Sequence, residues 1–283
     1  MATRPAMTAR RARLAAELRK LRERAGMTAT EAARALGTSQ GQLSNVESGR
    51  FGVSADRVRA MARIYSCPDQ PYIDALVGMA TEKTHGWWEA YREVLPCGLR
   101  YLAELEHHAV ALRTAYTSHI AGLLQTPDHA REIFRHAIPA PTPPEVEHWV
   151  SLRIKRQGVI YRDDALPYRT VMHEAALRMT VGGPKVARAQ LRHIVEMSER
   201  EHITVRILPF DVGAFPGSGQ NINYLLGSVP QLDTVQLDQF HGPLLIDAEA
   251  HLESYRRLLD VVEATALDPE ASRDLIRSIA QEL

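Results

Sequence analysis

The sequence predicts a multidomain chain of two unlike parts: an all-α front of five short helices, and a mixed α+β back with a small sheet. Three observations carry this. Apolar residues recur at three- and four-residue spacing as far as Thr81, and the pattern is broken at short intervals by Gly26, Gly37 and Gly49. From about Tyr168 onward, β-branched and aromatic runs bounded by Gly and Pro alternate with amphipathic stretches. Charge divides along the same line: up to Cys67, 13 Lys and Arg stand against 5 Asp and Glu, and beyond it 21 stand against 29, so a basic front and an acidic back lie behind a net charge of +0. We place a helical domain at 1–82, an aromatic junction at 83–98 and the α+β domain at 99–283.

Each element of the front has a local cause. Leu14, Leu18, Leu21 and Ala25 form one face of a first helix over 10–25, which Gly26 stops. Thr28 with Glu31 three residues on is the capping-box arrangement, so a second helix runs through Ala32, Ala33 and Leu36 to Gly37. Ser39 or Thr38 caps a third, which ends at Ser48-Gly49. Val58, Met61, Ala62 and Tyr65 stripe a fourth that begins near Ser54, and 71–81 reads as a fifth. Leu36, Leu43 and Val46 are expected in the core.

Composition excludes several classes of protein. With 283 residues, 24% of them charged and 45% hydrophobic, the chain can bury a core. Cys67 and Cys97 are too few for a disulfide framework or a multi-cysteine zinc site, and are expected as small buried thiols in a reducing cytoplasm. Arg4, Arg10, Arg11 and Arg13 open the chain, but no apolar segment follows them, and no stretch approaches the roughly 20 apolar residues of a membrane span. The basic front therefore points to a polyanion, nucleic acid before membrane.

The second and third helices are joined by little more than Gly37-Thr38, a turn with a glycine free to take positive φ, as a helix-turn-helix requires. The third helix exposes Gln40, Gln42, Ser44 and Asn45, amides and a hydroxyl where a merely solvated face carries Lys and Glu. An amide donates and accepts together, which is what reading the adenine edge in a major groove needs. The segment from Leu14 to about Tyr65, above all 28–33, Gly37-Thr38-Ser39-Gln40 and 43–50, resembles the helix-turn-helix of phage repressors, Cro and the xenobiotic-response-element regulators. The resemblance implies a five-helix domain bound to double-stranded DNA as a homodimer. Ser39, Gln40, Gln42, Ser44 and Asn45 would meet base edges, and Arg22, Thr30, Ser48 and Arg50 phosphates. Phe51-Gly52-Val53-Ser54 departs from the charged residue and proline common at this place.

In the back, Trp87, Trp88 and Tyr91 read as a packing cluster at the junction. The span 102–124 reads as mostly helical, 139–144 as a rigid connector, and 145–161 as a helix with Val146, Trp149, Val150 and Leu152 inward. Strands are expected at 168–173, 203–208, 222–226 and 234–240, with helices at 184–200 and 248–266. Gly122 to Ala130, Val181-Gly182-Gly183-Pro184, and Leu208-Pro209-Phe210 with Gly213 and Pro216-Gly217 resemble landmarks of the C-terminal domain of WhiJ-like, antitoxin-like actinobacterial regulators. That resemblance covers about 91–283. It implies a regulatory domain that receives a small-molecule effector or a small cognate protein, with repression the expected sign. Leu123, Leu124 and Gln125 are the candidate rim of such a groove. Gly182-Gly183-Pro184 reads first as a turn into a helix, and 211–220 as a lid or a hairpin connection.

Catalytic constellations are missing from the sequence. There is no His-Glu-x-x-His and no Gly-x-Ser-x-Gly; Gly-Gly-Pro-Lys185 lacks the spacing of a phosphate loop, and Gly217-Ser218-Gly219 is too short for a nucleophile elbow. His107 and His108, as neighbours on a helix, are expected to face apart. His173-Glu174 with Asp211 or His241 is the best acid–base grouping the sequence offers. We expect no enzyme activity, no metal and no cofactor.

Overall fold

In a computed structural model, residues 8–82, 86–94, 97–213, 215–217, 219–240 and 242–283 are described. Arg4, Ser218 and His241 lie outside them. The chain divides into two compact units, one ending at Trp87 and the other starting at Trp88.

The first unit holds α1 (Ala9–Arg24), α2 (Ala29–Ala35), α3 (Gln40–Glu47), α4 (Ala55–Ile64) and α5 (Gln70–Thr81). Every one of these helices starts at a side-chain cap: Thr8, Thr28, Ser39, Ser54 and Asp69 each accept a backbone N–H of the first turn, which satisfies a donor the helix leaves orphaned. Three of them stop at glycines in the left-handed region, Gly26, Gly37 and Gly49. The fourth stops at Ser66, the one non-glycine at positive φ among the described residues (54°). Leu14, Leu18, Leu21, Ala32, Ala33, Leu36, Leu43, Val58, Met61 and Leu76 form the core. Val46, expected there, is only half-buried. Glu17 is buried with them, and its carboxylate accepts the Tyr72 hydroxyl at 2.5 Å and lies 2.8 Å from both Arg13 and Lys20. Cys67 is a free, half-buried thiol.

The second unit contains α6 (Cys97–His108), β1 (Ala111–Tyr116), α7 (Pro127–Arg135), α8 (Pro143–Arg156), β2 (Tyr168–His173), α9 (Glu174–Arg178), α10 (Pro184–Ser198), β3 (Ile203–Leu208), β4 (Ile222–Leu226), β5 (Thr234–Gln239), β6 (Gly242–Ile246), α11 (Glu249–Thr265) and α12 (Pro269–Glu282). One six-stranded sheet runs in the order β3-β2-β1-β4-β5-β6. Its β3-β2-β1 half is parallel, and β1-β4-β5-β6 is antiparallel. The strands alternate with period two. Leu112, Tyr116, Tyr168 and Met172 face one cluster with residues of α10 and α12, while Ala115, Val171, Tyr224 and Val235 face a second with Leu252, Leu259 and Val262 of α11. Apolar matter on both faces is what a partly parallel sheet needs.

Several expectations for this unit need correction. β1 lies inside the span read as helical, and it forms because β2 and β4 flank it on both edges. β6 and α12 add to the expected elements. β3 and β4 are not neighbours, so the chain between them is no hairpin but a crossing from the sheet edge to the far side of β1. Within that crossing Gly217 has φ +78°, and a Cβ there would come within 2.9 Å of Leu258. His107 and His108 do not face apart: their rings lie 4.9 Å from each other, and both meet Trp88. Gly182 and Gly183, both at positive φ, turn the chain into α10 with Pro184 at its first position. No helix among the described residues is long and apolar enough to cross a membrane.

Candidate nucleic-acid interface

The pair α2–α3 is set by its turn. Thr28 and Glu31 close the start of α2 reciprocally, the Thr28 N–H donating to Glu31 at 2.8 Å and the Glu31 N–H to the Thr28 hydroxyl at 3.2 Å. The Thr28 hydroxyl and N–H hold the Glu31 carboxyl below the usual carboxylate range. At the other end the N–H groups of Gly37 and Thr38 donate to the carbonyls of Arg34 and Ala33 at 3.1 and 2.9 Å, and Gly37 takes φ +62°. The Arg57 guanidinium, from α4, donates to the Leu36 carbonyl at 2.9 Å and ties the turn to the bundle. α3 starts one residue later, with the Gln42 N–H on the Ser39 hydroxyl at 3.2 Å.

This geometry places Ser39, Gln40, Gln42 and Ser44 in solvent and Asn45 half-exposed beside them, while Leu43 is buried. Gly41 is in the middle of the same face, exposed, and a Cβ there would meet nothing within 4 Å. The Gln42 side-chain carbonyl accepts from the Thr38 hydroxyl at 2.5 Å. At the flanks Thr30, Ser48 and Arg50 are exposed. The Ser48 hydroxyl donates to the Asn45 carbonyl at 3.3 Å, and the Arg50 carbonyl accepts from Arg11 at 2.9 Å.

Arg22 is elsewhere. It is buried, and its guanidinium grips Glu47 through two bonds of 2.8 and 2.9 Å while donating to the Met27 carbonyl at 2.8 Å. Hydrogen bonding and charge from Glu47 outweigh burial and hold the guanidinium above its ordinary pKa. A side chain so enclosed braces α1 against α3 instead of standing exposed at the flank. Sequence reasoning missed Glu47, although one signal pointed to it: an acid four residues after Leu43 lies on the buried face of α3 and must find a cation.

In the α+β unit, Leu123 and Leu124 do not rim a groove. They are 3% and 0% exposed, inside the core on a 3-10 turn over Gly122–Leu124. Gln125 differs, since it lines a cavity of about 310 Å³. The acid–base grouping at His173 has structural roles instead. His173 Nδ1 accepts the Ala175 N–H at 3.2 Å, its ring packs on Phe210, and Glu174 accepts from Arg178 and from the Phe210 N–H. Among the described residues no group of three or more His, Cys, Asp or Glu could hold a metal ion.

Residues 13–75 match the model of a helix-turn-helix domain, and residues 99–278 match that of a domain of unknown function, DUF5753. No curated protein and no solved structure matches the chain.

Proposed function

The chain belongs to the DUF5753 family, and we propose that it is a sequence-specific DNA-binding regulator of transcription, a cytoplasmic repressor that docks as a homodimer and is controlled through its α+β unit. One observation carries the reading: α3 turns an amide-and-hydroxyl face, with a bare glycine at its centre, away from the bundle that holds it. Gln40, Gln42 and Asn45 can each donate and accept on one base edge, and Ser39 and Ser44 add hydroxyls, so these five are the proposed base contacts. Thr30, Ser48 and Arg50 flank them as phosphate contacts, which set register without reading sequence. The basic character of the front supplies attraction that falls as salt rises.

The test is selection of bound duplexes from a random pool by the full chain at one stated salt concentration. Enrichment of an inverted repeat with half-sites about one helical turn apart is the expected outcome. Gln40→Ala with Asn45→Ala should then lower discrimination at the contacted base pairs by about 1–3 kcal/mol each, with the fold intact. Unchanged selectivity in this double variant would remove α3 from the reading role.

A further inference from the structure

The cavity beside Gln125 brings together two arginines from one helix turn, Arg153 and Arg156 of α8, with Asn221 just before β4, Asn223 of β4 and Asp238 of β5. The two cations are treated differently. Arg156 is neutralised by Glu106, which accepts two bonds of 2.7 Å from it in a buried fork. Among the described residues no carboxylate bonds to Arg153, and Glu106 and Asp238 act on it only through space. Its Nη1 donates to the Gln125 side-chain carbonyl, its guanidinium carbon lies 4.9 Å from the centre of the Phe134 ring, and its Nε is buried with no acceptor among the described residues. A guanidinium has five N–H donors. Among the described residues one of those of Arg153 is used. Burial, and then the charge of Arg156, push this guanidinium down to about 10.

The neighbours of Arg153 hold it in this position. A Cβ on Gly122 would come within 3.1 Å of Nη1, so the missing side chain leaves the space the guanidinium occupies. Gln125, which receives the Nη1 bond, is itself fastened: its NH2 donates to the Ile120 carbonyl at 2.7 Å, and its backbone carbonyl accepts from Gln157 at 2.6 Å. A buried cation bonded to no carboxylate, kept stiff at a cavity wall with donors unspent, is arranged for an anion from outside.

Facing it, the hydroxyl of Tyr116 donates to Asn223, Asn223 donates to Gln236, and Gln236 donates to one oxygen of Asp238, at 2.5, 2.5 and 2.7 Å. All three bonds run in one sense, toward an exposed carboxylate. Asp238 therefore ends the chain as an acceptor, suited to a hydroxyl or ammonium donor. A volume of about 310 Å³ is at the small end of ligand sites.

We propose that this cavity binds a small hydroxy or amino acid, its carboxylate seated in the fork of Arg153 and its hydroxyl or amine turned to Asp238. The proposal concerns the α+β unit alone and is tested without DNA, so its failure is distinct from failure of the DNA-binding reading. The full chain is titrated calorimetrically with lactate, malate, glutamate, succinate, the uncharged succinamide and inorganic phosphate, and melted in the presence of each. At least one of lactate, malate and glutamate should bind saturably, raising the melting temperature by about 5–10 °C at a hundredfold excess over its dissociation constant. Arg153→Gln should weaken that binding at least tenfold. Arg153→Lys, which keeps the charge but not the fork, should weaken it too and guards against misfolding of the first variant. Asp238→Asn should reduce the preference for malate over succinate. The proposal is overturned by no saturable binding of lactate, malate or glutamate up to about 10 mM, by wild-type affinity in both Arg153 variants, or by binding of phosphate or succinamide alone.

Discussion

Removing the Arg22–Glu47 pair one partner at a time and then together separates an internal brace from a phosphate contact. Glu47 has 6% of its side chain exposed and Arg22 10%, and the two share a bidentate contact of 2.8 and 2.9 Å. Breaking such a pair leaves one charge buried and uncompensated, a cost of about 3–5 kcal/mol. A domain of this size has only about 5–15 kcal/mol in total, so Arg22→Met or Glu47→Leu alone should move the urea midpoint of the first unit far to the left. The double variant replaces both charges by apolar groups and should recover much of that loss, with a coupling of about 2–3 kcal/mol in the cycle. The assay is urea unfolding of the four proteins, followed by helix content, together with the salt dependence of DNA binding for the wild type and the double variant. The slope of log affinity against log salt should be the same for both. Additive losses in the cycle, or a slope shallower by about 0.9, the loss of one phosphate contact, would refute the bracing role.

Gly41→Ala should stabilise α3 by about 0.5–1 kcal/mol, since a Cβ there meets nothing, and should weaken specific DNA binding by placing a methyl between the helix and the groove; a stability gain with undiminished affinity would place that face away from DNA. Ser66→Gly should raise stability by about 1 kcal/mol in a urea titration, because the cap of α4 needs positive φ there. His129 is 2% exposed, and burial, then the charges of Arg153 and His119, push it down to about 4. Its folded pKa lies below the unfolded value of about 6.5, so the unfolded chain gains the proton first as pH falls. Stability is full above about 6.5 and declines toward pH 4 by roughly 3 kcal/mol, a pH-dependent loss that His129→Asn should flatten in unfolding measured at pH 7 and pH 5.

The front was readable because its causes are local. Thr28 lies three residues from Glu31, Ser39 three from Gln42, and each stop glycine one or two past its helix, so caps and turns could be placed from sequence alone. β1 was not readable for the opposite reason. Ala111–Tyr116 becomes a strand by pairing with Tyr168–Met172 and Ile222–Leu226, partners that no window around it contains. The site residues divide the same way. The exposed amides of α3 follow from helical spacing, whereas Arg22 depends on Glu47, 25 residues away, and Arg153 on Gln125, 28 residues away. Gln125 stands out in the sequence, but as part of a rim that the buried Leu123 and Leu124 do not form. The apposing wall of Asn223 and Asp238 lies on β4 and β5, strands legible in the sequence, but its meeting with Arg153 depends on the sheet order, which no local pattern shows.

The central place of β1 in the sheet also orders events in time. As the chain leaves the ribosome, all five helices of the first unit can close on one another once Thr81 has emerged, because each packs on near neighbours in sequence. β1 must wait for β2 and then, about a hundred residues after its own synthesis, for β4 before both its edges are paired. At the usual pace of translation that interval is about 5–20 s. For that time the nascent chain can carry a closed helical unit ahead of an incomplete sheet, so α3, the proposed reader of the DNA groove, can mature before the unit proposed to govern it.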